Sequence, residues 1–144
     1  KVYIDNYFER YQGVRRFMEQ TVRSAAESMQ TSTLLGRIRL LPDIRNPNAA
    51  VRQFAERTAI NAPIQGTAAD LLKIAMIRID AALRDRKMKT AMILTVHDEL
   101  VFEVPPAELD DAEALIKEIM EGVWDLQVPL KVNLGRGANW AEIH

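Results

Sequence analysis

The stretch from Ala49 to Arg86 constrains this chain more than any other part of it. Its apolar positions recur at helical spacing, first along one face and then, from Ala68 to Leu83, on nearly all sides. A helix that is apolar all round has to be buried, so the rest of the chain must supply its cover. Pro63 and Gly66 interrupt the pattern. Proline removes an amide donor and clashes with the preceding turn, which predicts one helix to about Ala62 and a second from about Thr67.

The flanks supply further elements. Tyr3, Ile4, Tyr7, Phe8 and Tyr11 form one helical stripe, Gln12-Gly13 interrupts it, and Val14, Phe17, Met18, Val22, Ala25 and Met29 form another. Residues 31–35 and 37–41 on either side of Gly36 read as a small hairpin that Pro42 ends, and residues 43–48 read as a loop. Downstream, Ala91–Val96 and Val101–Val104 have the length and apolarity of strands, with His97-Asp98-Glu99-Leu100 as the tip of an antiparallel hairpin. Leu109, Ala112, Leu115, Ile116, Ile119, Met120 and Val123 trace one face of a later helix. Glu108, Asp110 and Asp111 suit the positive end of its dipole. Leu130, Val132 and Leu134 alternate with polar residues and predict a last strand. The fold class is α+β: helices packed on a small antiparallel sheet that contains the 91–104 hairpin.

Composition narrows the function classes. The 144 residues, 48% hydrophobic with a net charge of −1, fit a single globular domain. No apolar run nears the ~18 residues of a membrane span, and the charged start Lys1-Val2-Tyr3-Ile4-Asp5 is no signal peptide. The absence of cysteine excludes disulfides and thiolate metal sites and fits a reducing compartment. The charge is uneven: residues 1–57 carry 10 basic and 6 acidic side chains, +4, and residues 58–144 carry 9 and 14, −5. Such halves fit a nucleic-acid surface beside a metal site, and equally solvated helix faces that differ by chance. Gly135-Arg136-Gly137 lacks the setting of a dinucleotide loop, and the terminal His144 has no spaced partner for zinc. Trp124 and Trp140 are expected to close core edges, and the acidic face of the 108–122 helix to be solvated.

Two constellations could carry chemistry. His97, Asp98 and Glu99 stand together at a hairpin tip, where a turn relaxes the strand rule that sends adjacent side chains to opposite faces. Asp98 is the better ligand for a hard cation such as Mg²⁺, which takes one or two carboxylates plus water and phosphate oxygens. Three polar residues are also what an ordinary turn carries. Arg57, Asn61 and Gln65, at i, i+4 and i+8, put a cation and two amides in one helical row, although Pro63 could bend its end. Such a row can meet the minor-groove acceptors that all base pairs present, so it would test duplex geometry and ignore sequence. It is equally an exposed polar stripe on an amphipathic helix. Arg37, Arg39, Arg45 and Arg52 add cations suited to phosphate contacts.

The order of these segments resembles a known family. Glu56-Arg57-Thr58-Ala59-Ile60-Asn61-Ala62-Pro63-Ile64-Gln65-Gly66-Thr67-Ala68-Ala69-Asp70, then Val96-His97-Asp98-Glu99-Leu100, then Gly137-Ala138-Asn139-Trp140-Ala141-Glu142-Ile143-His144 closely resemble the C-terminal portion of the bacterial family A DNA polymerases. Tyr7-Phe8-Glu9-Arg10-Tyr11 and residues 33–43 fit the same family, so the resemblance covers essentially the whole chain. It implies a truncated piece of a template-directed DNA polymerase, about 1–48 a fingers remnant and about 49–144 palm, that works with two Mg²⁺ ions. On that resemblance Asp98 is a catalytic metal ligand, Glu99 an auxiliary acid, and His97 a neighbour of the primer terminus. Arg57, Asn61 and Gln65 would contact primer-template DNA, with Arg37 and Arg39 nearby. Deoxynucleoside triphosphates would be the other partner, and the setting the bacterial cytoplasm, at the nucleoid.

Two local departures stand out. Met29-Gln30-Thr31 replaces a frequent Gly-Tyr-Val, and Gly36-Arg37-Ile38-Arg39 replaces Gly-Arg-Arg-Arg, which puts one turn and one phosphate contact in question. Nothing in the chain resembles the family's other metal-binding motif, Asp-Tyr-Ser-x-x-Glu, nor the fingers helix that holds the incoming nucleotide. Both are expected before residue 1, in a missing N-terminal part, with this chain running to the natural end. The isolated piece is therefore expected to be inactive, and its uncovered apolar surface to cause self-association or local disorder near residues 1–30. Two alternatives remain: a non-catalytic primer-template binding module, and a single-subunit RNA polymerase relative. The latter resemble His-Asp-Ser at the tip, so Glu99 favours DNA synthesis.

Overall fold

In the computed structural model, which describes residues 2–142, the first aromatic stripe forms helix α1 (Val2–Arg10) and the second forms α2 (Gln12–Ser28). Met29 ends α2 in the left-handed conformation at φ 59°, with its N–H on the Ala25 carbonyl. The chain then makes the expected hairpin, β1 (Gln30–Ser32) antiparallel to β2 (Ile38–Leu40), turning through Gly36 at φ 86°.

The expected 43–48 loop is more ordered than its composition predicts. Pro42–Arg45 is a 3₁₀ turn, and Arg45 uses it to reach back to α2. Its Nε donates to the Ala26 carbonyl and its Nη2 to that of Glu27 at 3.1 Å. α2 has no basic residue in its own last turn, so Arg45 supplies the cation its carbonyl end favours. Asn48 caps the next helix, its Oδ1 accepting the Ala50 N–H at 3.0 Å.

That helix, α3 (Ala49–Asp85), corrects the sequence expectation: it runs 37 residues and passes through Pro63 without a break. The turn after the proline is held both from within α3 and from the hairpin. Thr67 Oγ1 donates to the Pro63 carbonyl at 2.5 Å and accepts the Leu34 N–H from the hairpin at 2.9 Å. Arg37 Nη2 reaches the Gly66 carbonyl at 3.0 Å.

Two compact units divide the chain, Lys1–Ala68 and Ala69–His144. In the first, Ala25, Leu41, Ile44, Ala55 and Ala59 form the core, with Ala26 and Met29 packed against it. The alanines among them let the helices and the 3₁₀ turn approach closely. Residues 2–28 present much of their apolar surface to solvent, including Tyr3, Ile4, Tyr7, Val14 and Phe17.

In the second unit Leu71, Ala75, Ile79 and Leu83 form a buried i, i+4 stripe on α3. The apolar character all round this segment does not translate into burial all round, since Ile77 is 71% exposed. β3 (Ala91–Val96) pairs antiparallel with β4 (Glu99–Glu103), with a bulge at Ile93 between the Met92–Phe102 and Leu94–Val101 pairs. α4 (Leu109–Glu121) buries Ala112, Leu115 and Ile116. The architecture is α+β as expected, with two separate two-stranded sheets among the described residues rather than one.

Three further expectations are corrected here. Residues 130–134 keep their alternation but have no ladder partner among the described residues, and the Val132 N–H goes to Glu121 Oε1 at 3.0 Å. The acidic face of α4 is not merely solvated. Glu108 accepts from the Lys89 and Thr90 N–H groups and from Thr90 Oγ1, while Asp110 and Glu113 hold Arg136. Trp124 and Trp140 are 40% and 42% exposed and close no core edge, because the segments carrying them lie outside regular elements or in a short 3₁₀ turn. Ile143 and His144, the end of the terminal motif, lie outside the described residues.

Candidate nucleic-acid interface and the carboxylate turn

Because α3 continues through Pro63, Arg57, Asn61 and Gln65 lie in one row on one helical face. All three are exposed. The Arg57 guanidinium lies 6.0 Å from the ring centroid of the exposed Phe54, a contact that steadies a cation without removing it from water. The bend expected at the end of the row does not break it, and Gln65 stays in register with Arg57.

The β1–β2 hairpin brings further cations to that end of the row. Arg37, Arg39 and Gln65 line one shallow hollow of about 70 Å³ beside Gly66. Arg37 is oriented at both ends, its N–H on Thr33 Oγ1 at 3.1 Å and its Nη2 on the Gly66 carbonyl. Arg39 pairs through its Cα position with Thr31 and is exposed. Of the other two arginines, Arg45 is spent on the end of α2. Arg52 donates to the Asn46 carbonyl at 3.0 Å and pairs with Glu56 at 3.8 Å.

Sequence reasoning missed Thr33, Gly66 and Thr67. A Cβ built on Gly66 would fall 2.5 Å from Thr33 Cγ2, closer than such atoms come, so with Thr33 in place a side chain at position 66 would force the two apart. The readable signal was a glycine directly after Gln65, inside a helical pattern, where it costs about 1 kcal/mol relative to alanine.

The second constellation lies in the other unit. Val96 pairs with Glu99, leaving His97 and Asp98 as a two-residue turn, tighter than the four-residue tip expected. His97 makes this turn possible by adopting φ 55°, the positive φ that tight hairpin turns demand of a central residue. His97, Asp98 and Glu99 are all exposed, with Glu99 already at the head of β4 and its carbonyl accepting Thr95 Oγ1 at 3.1 Å. Asp98 thus offers a hard oxygen ligand at an exposed turn. Among the described residues no group of three or more His, Cys, Asp or Glu is placed to hold a metal, so a hard cation at Asp98 would complete its shell with water, phosphate or ligands from elsewhere.

Two side chains beside α4 have shifted pKa values. Hydrogen bonds from the Lys89 N–H and the Thr90 hydroxyl hold the Glu108 carboxyl below its ordinary range. The carboxylates of Glu113 and Asp110 raise the already high pKa of Arg136. Both groups tie the N-terminal part of α4 to neighbouring chain segments.

Comparison with known proteins places the chain as a whole in a family. The profile of DNA polymerase family A matches residues 1–142. The chain is 51% identical over 142 residues to a DNA polymerase I of Lactococcus lactis subsp. cremoris, covering 99% of this chain and 16% of the relative. It is 47% identical over 137 residues to that of Mycobacterium tuberculosis, 95% of this chain and 15% of the relative. A solved structure, the POL domain of Pol1 from M. smegmatis in complex with DNA primer-template and dNTP, superposes with a TM-score of 0.96 at 45% identity, over 99% of this chain and 25% of that one. The chain belongs to DNA polymerase family A. It spans about one-sixth of the length of the curated relatives it matches.

Proposed function

We propose that this chain serves template-directed DNA synthesis as a segment of a longer family A polymerase, with about 1–48 a fingers remnant and about 49–144 part of the palm. The observation that carries the reading is the exposed Arg57–Asn61–Gln65 row on an unbroken helix, in a chain of this family. The M. smegmatis domain was solved with primer-template and dNTP, and these are the partners proposed here.

On this reading the Asn61 and Gln65 amides donate to purine N3 and pyrimidine O2, the minor-groove acceptors common to correctly paired bases. A mispair displaces those acceptors, so the row favours extension from a matched terminus. Arg57, Arg37 and Arg39 neutralise phosphates and fix register. His97 flanks the primer end, Asp98 holds metal and Glu99 adds negative charge beside it. Bound Mg²⁺ supplies activation of the 3′-hydroxyl and charge neutralisation at the phosphates. The primer oxygen bonds to the α-phosphorus of the nucleotide as pyrophosphate leaves, a reaction governed by positioning and electrostatics.

One aspartate leaves most of the charge of two Mg²⁺ ions and a triphosphate uncompensated, so the 144-residue chain binds duplex without extending it. Its affinity for primer-template is expected to fall with salt, and Arg57→Ala to reduce the salt slope by about one. Gln65→Ala weakens binding and Asp98→Ala does not. In the longer enzyme Asp98→Ala lowers extension on the order of 10³-fold. Extension by the 144-residue chain above an Asp98→Ala control would overturn the inactivity. Ribonucleotide incorporation by the longer enzyme would move it to the RNA polymerase class.

A further inference from the structure

We infer that the β1–β2 hairpin is a positioning latch for Gln65, worked by Thr33, Gly66 and Thr67, three residues with no assigned contact to DNA. The inference rests on the proposed reading of the amide row and adds to it the device that sets where the row ends.

Gln65 sits between two pinned points of α3. On its N-terminal side the Pro63 carbonyl accepts Thr67 Oγ1 at 2.5 Å. On its C-terminal side the Gly66 carbonyl accepts Arg37 Nη2 at 3.0 Å. The same Thr67 oxygen accepts the Leu34 N–H at 2.9 Å, so one hydroxyl joins the helix turn carrying Gln65 to the loop of the hairpin. Thr33 completes the latch: its Oγ1 accepts the Arg37 N–H at 3.1 Å, and its Cγ2 occupies the space a side chain at Gly66 would need.

A latch of this kind has a purpose at a proline. Without the amide of Pro63 the helix lacks one of the bonds that would otherwise fix the direction of the following turn. That turn carries Gln65. The hairpin's bonds replace the missing constraint and bring Arg37 and Arg39 to the hollow that Gln65 lines. Thr33 Cγ2 would stand 2.5 Å from an alanine Cβ at position 66, whereas ordinary contact begins near 3.4 Å, so a methyl there moves the hairpin by about 1 Å. A displacement of that size is enough to cost about 10²-fold where geometry decides rate.

The test uses the longer polymerase and reads the ratio of extension from matched and mismatched primer termini. Gly66→Ala is expected to lower matched extension about 10- to 100-fold and to shrink the ratio. Adding Thr33→Ser to it removes Cγ2 while keeping Oγ1, and is expected to restore most of both. Thr67→Val, which keeps the shape and loses the hydroxyl, lowers the ratio, and Thr67→Ser retains it. If Gly66→Ala does not fold, the Thr67 pair decides. Gln65→Ala is the control for the underlying reading: an unchanged ratio there sinks the amide row itself. A collapsed ratio in Gln65→Ala with normal ratios in Gly66→Ala and Thr67→Val leaves the row standing and overturns the latch. Failure of Thr33→Ser to rescue a folded Gly66→Ala also counts against it.

Discussion

Glu108 shows how a single side chain can serve a neighbour rather than its own element. It stands at the N-cap of α4 but makes no side-chain cap there. Its carboxylate instead takes the Lys89 and Thr90 N–H groups and the Thr90 hydroxyl, fastening the start of β3. These donors hold its folded-state pKa below the ordinary 4.5. For a depressed carboxyl the stabilisation is complete above the unfolded value and is lost as pH falls through the folded one. The melting temperature of the chain is therefore expected to exceed that of Glu108→Gln near neutrality, with the two curves converging in acid below pH 4.5. Parallel curves across the acid range would show that the carboxylate charge contributes nothing. The sequence placed Glu108 in the first turn of a helix, where the dipole explains it. Its real partners lie eighteen and nineteen residues upstream, and helical periodicity carries no information about such a separation.

At the scale of elements, α1, α2, α4 and both hairpins were legible, the helices from local period, the first hairpin from its turn glycine and the second from the length of its strands. The misreadings share one cause, tertiary partners that local pattern does not encode. Pro63 and Gly66 read as a break, yet the hairpin's bonds to Gly66 and Thr67 carry α3 through. Leu130, Val132 and Leu134 read as a strand, yet among the described residues no edge pairs with them and Glu121 takes the Val132 amide. Spacing placed the candidate row on one helical face and the carboxylates at a turn, while their roles came from the family resemblance; the latch around Gly66 was not legible, since it depends on the approach of a hairpin some thirty residues away. An interior proline costs up to about 3 kcal/mol, and here the helix is held from outside. Pro63→Ala restores a bond to the Ala59 carbonyl and is expected to stabilise the chain by about 1–3 kcal/mol in urea unfolding. A destabilised variant would mean that the proline's own packing outweighs the missing amide.

For the molecule as a whole, the charge division that composition left open acquires a location. The basic first part carries Arg37, Arg39 and Arg57 around the amide row, while the acidic remainder carries the Asp98 turn and the pairs of α4. The same first part leaves an apolar face on α1, where Tyr3 is 92% exposed, Ile4 60% and Tyr7 48%. Two copies meeting through the same face would take part of this apolar surface out of water, and association costs free energy of the same order, so the pairing expected is weak. Sedimentation of the 144-residue chain is therefore expected to show self-association that grows toward millimolar concentration. The double variant Ile4→Lys, Tyr7→Lys replaces the centre of the patch by like charges and is expected to sediment as a monomer throughout. If the parent chain is already monomeric at millimolar concentration, the face is not sticky enough to pair. If the variant associates as well as the parent, the contact lies elsewhere, with Val14 and Phe17 of α2 the next surface to change.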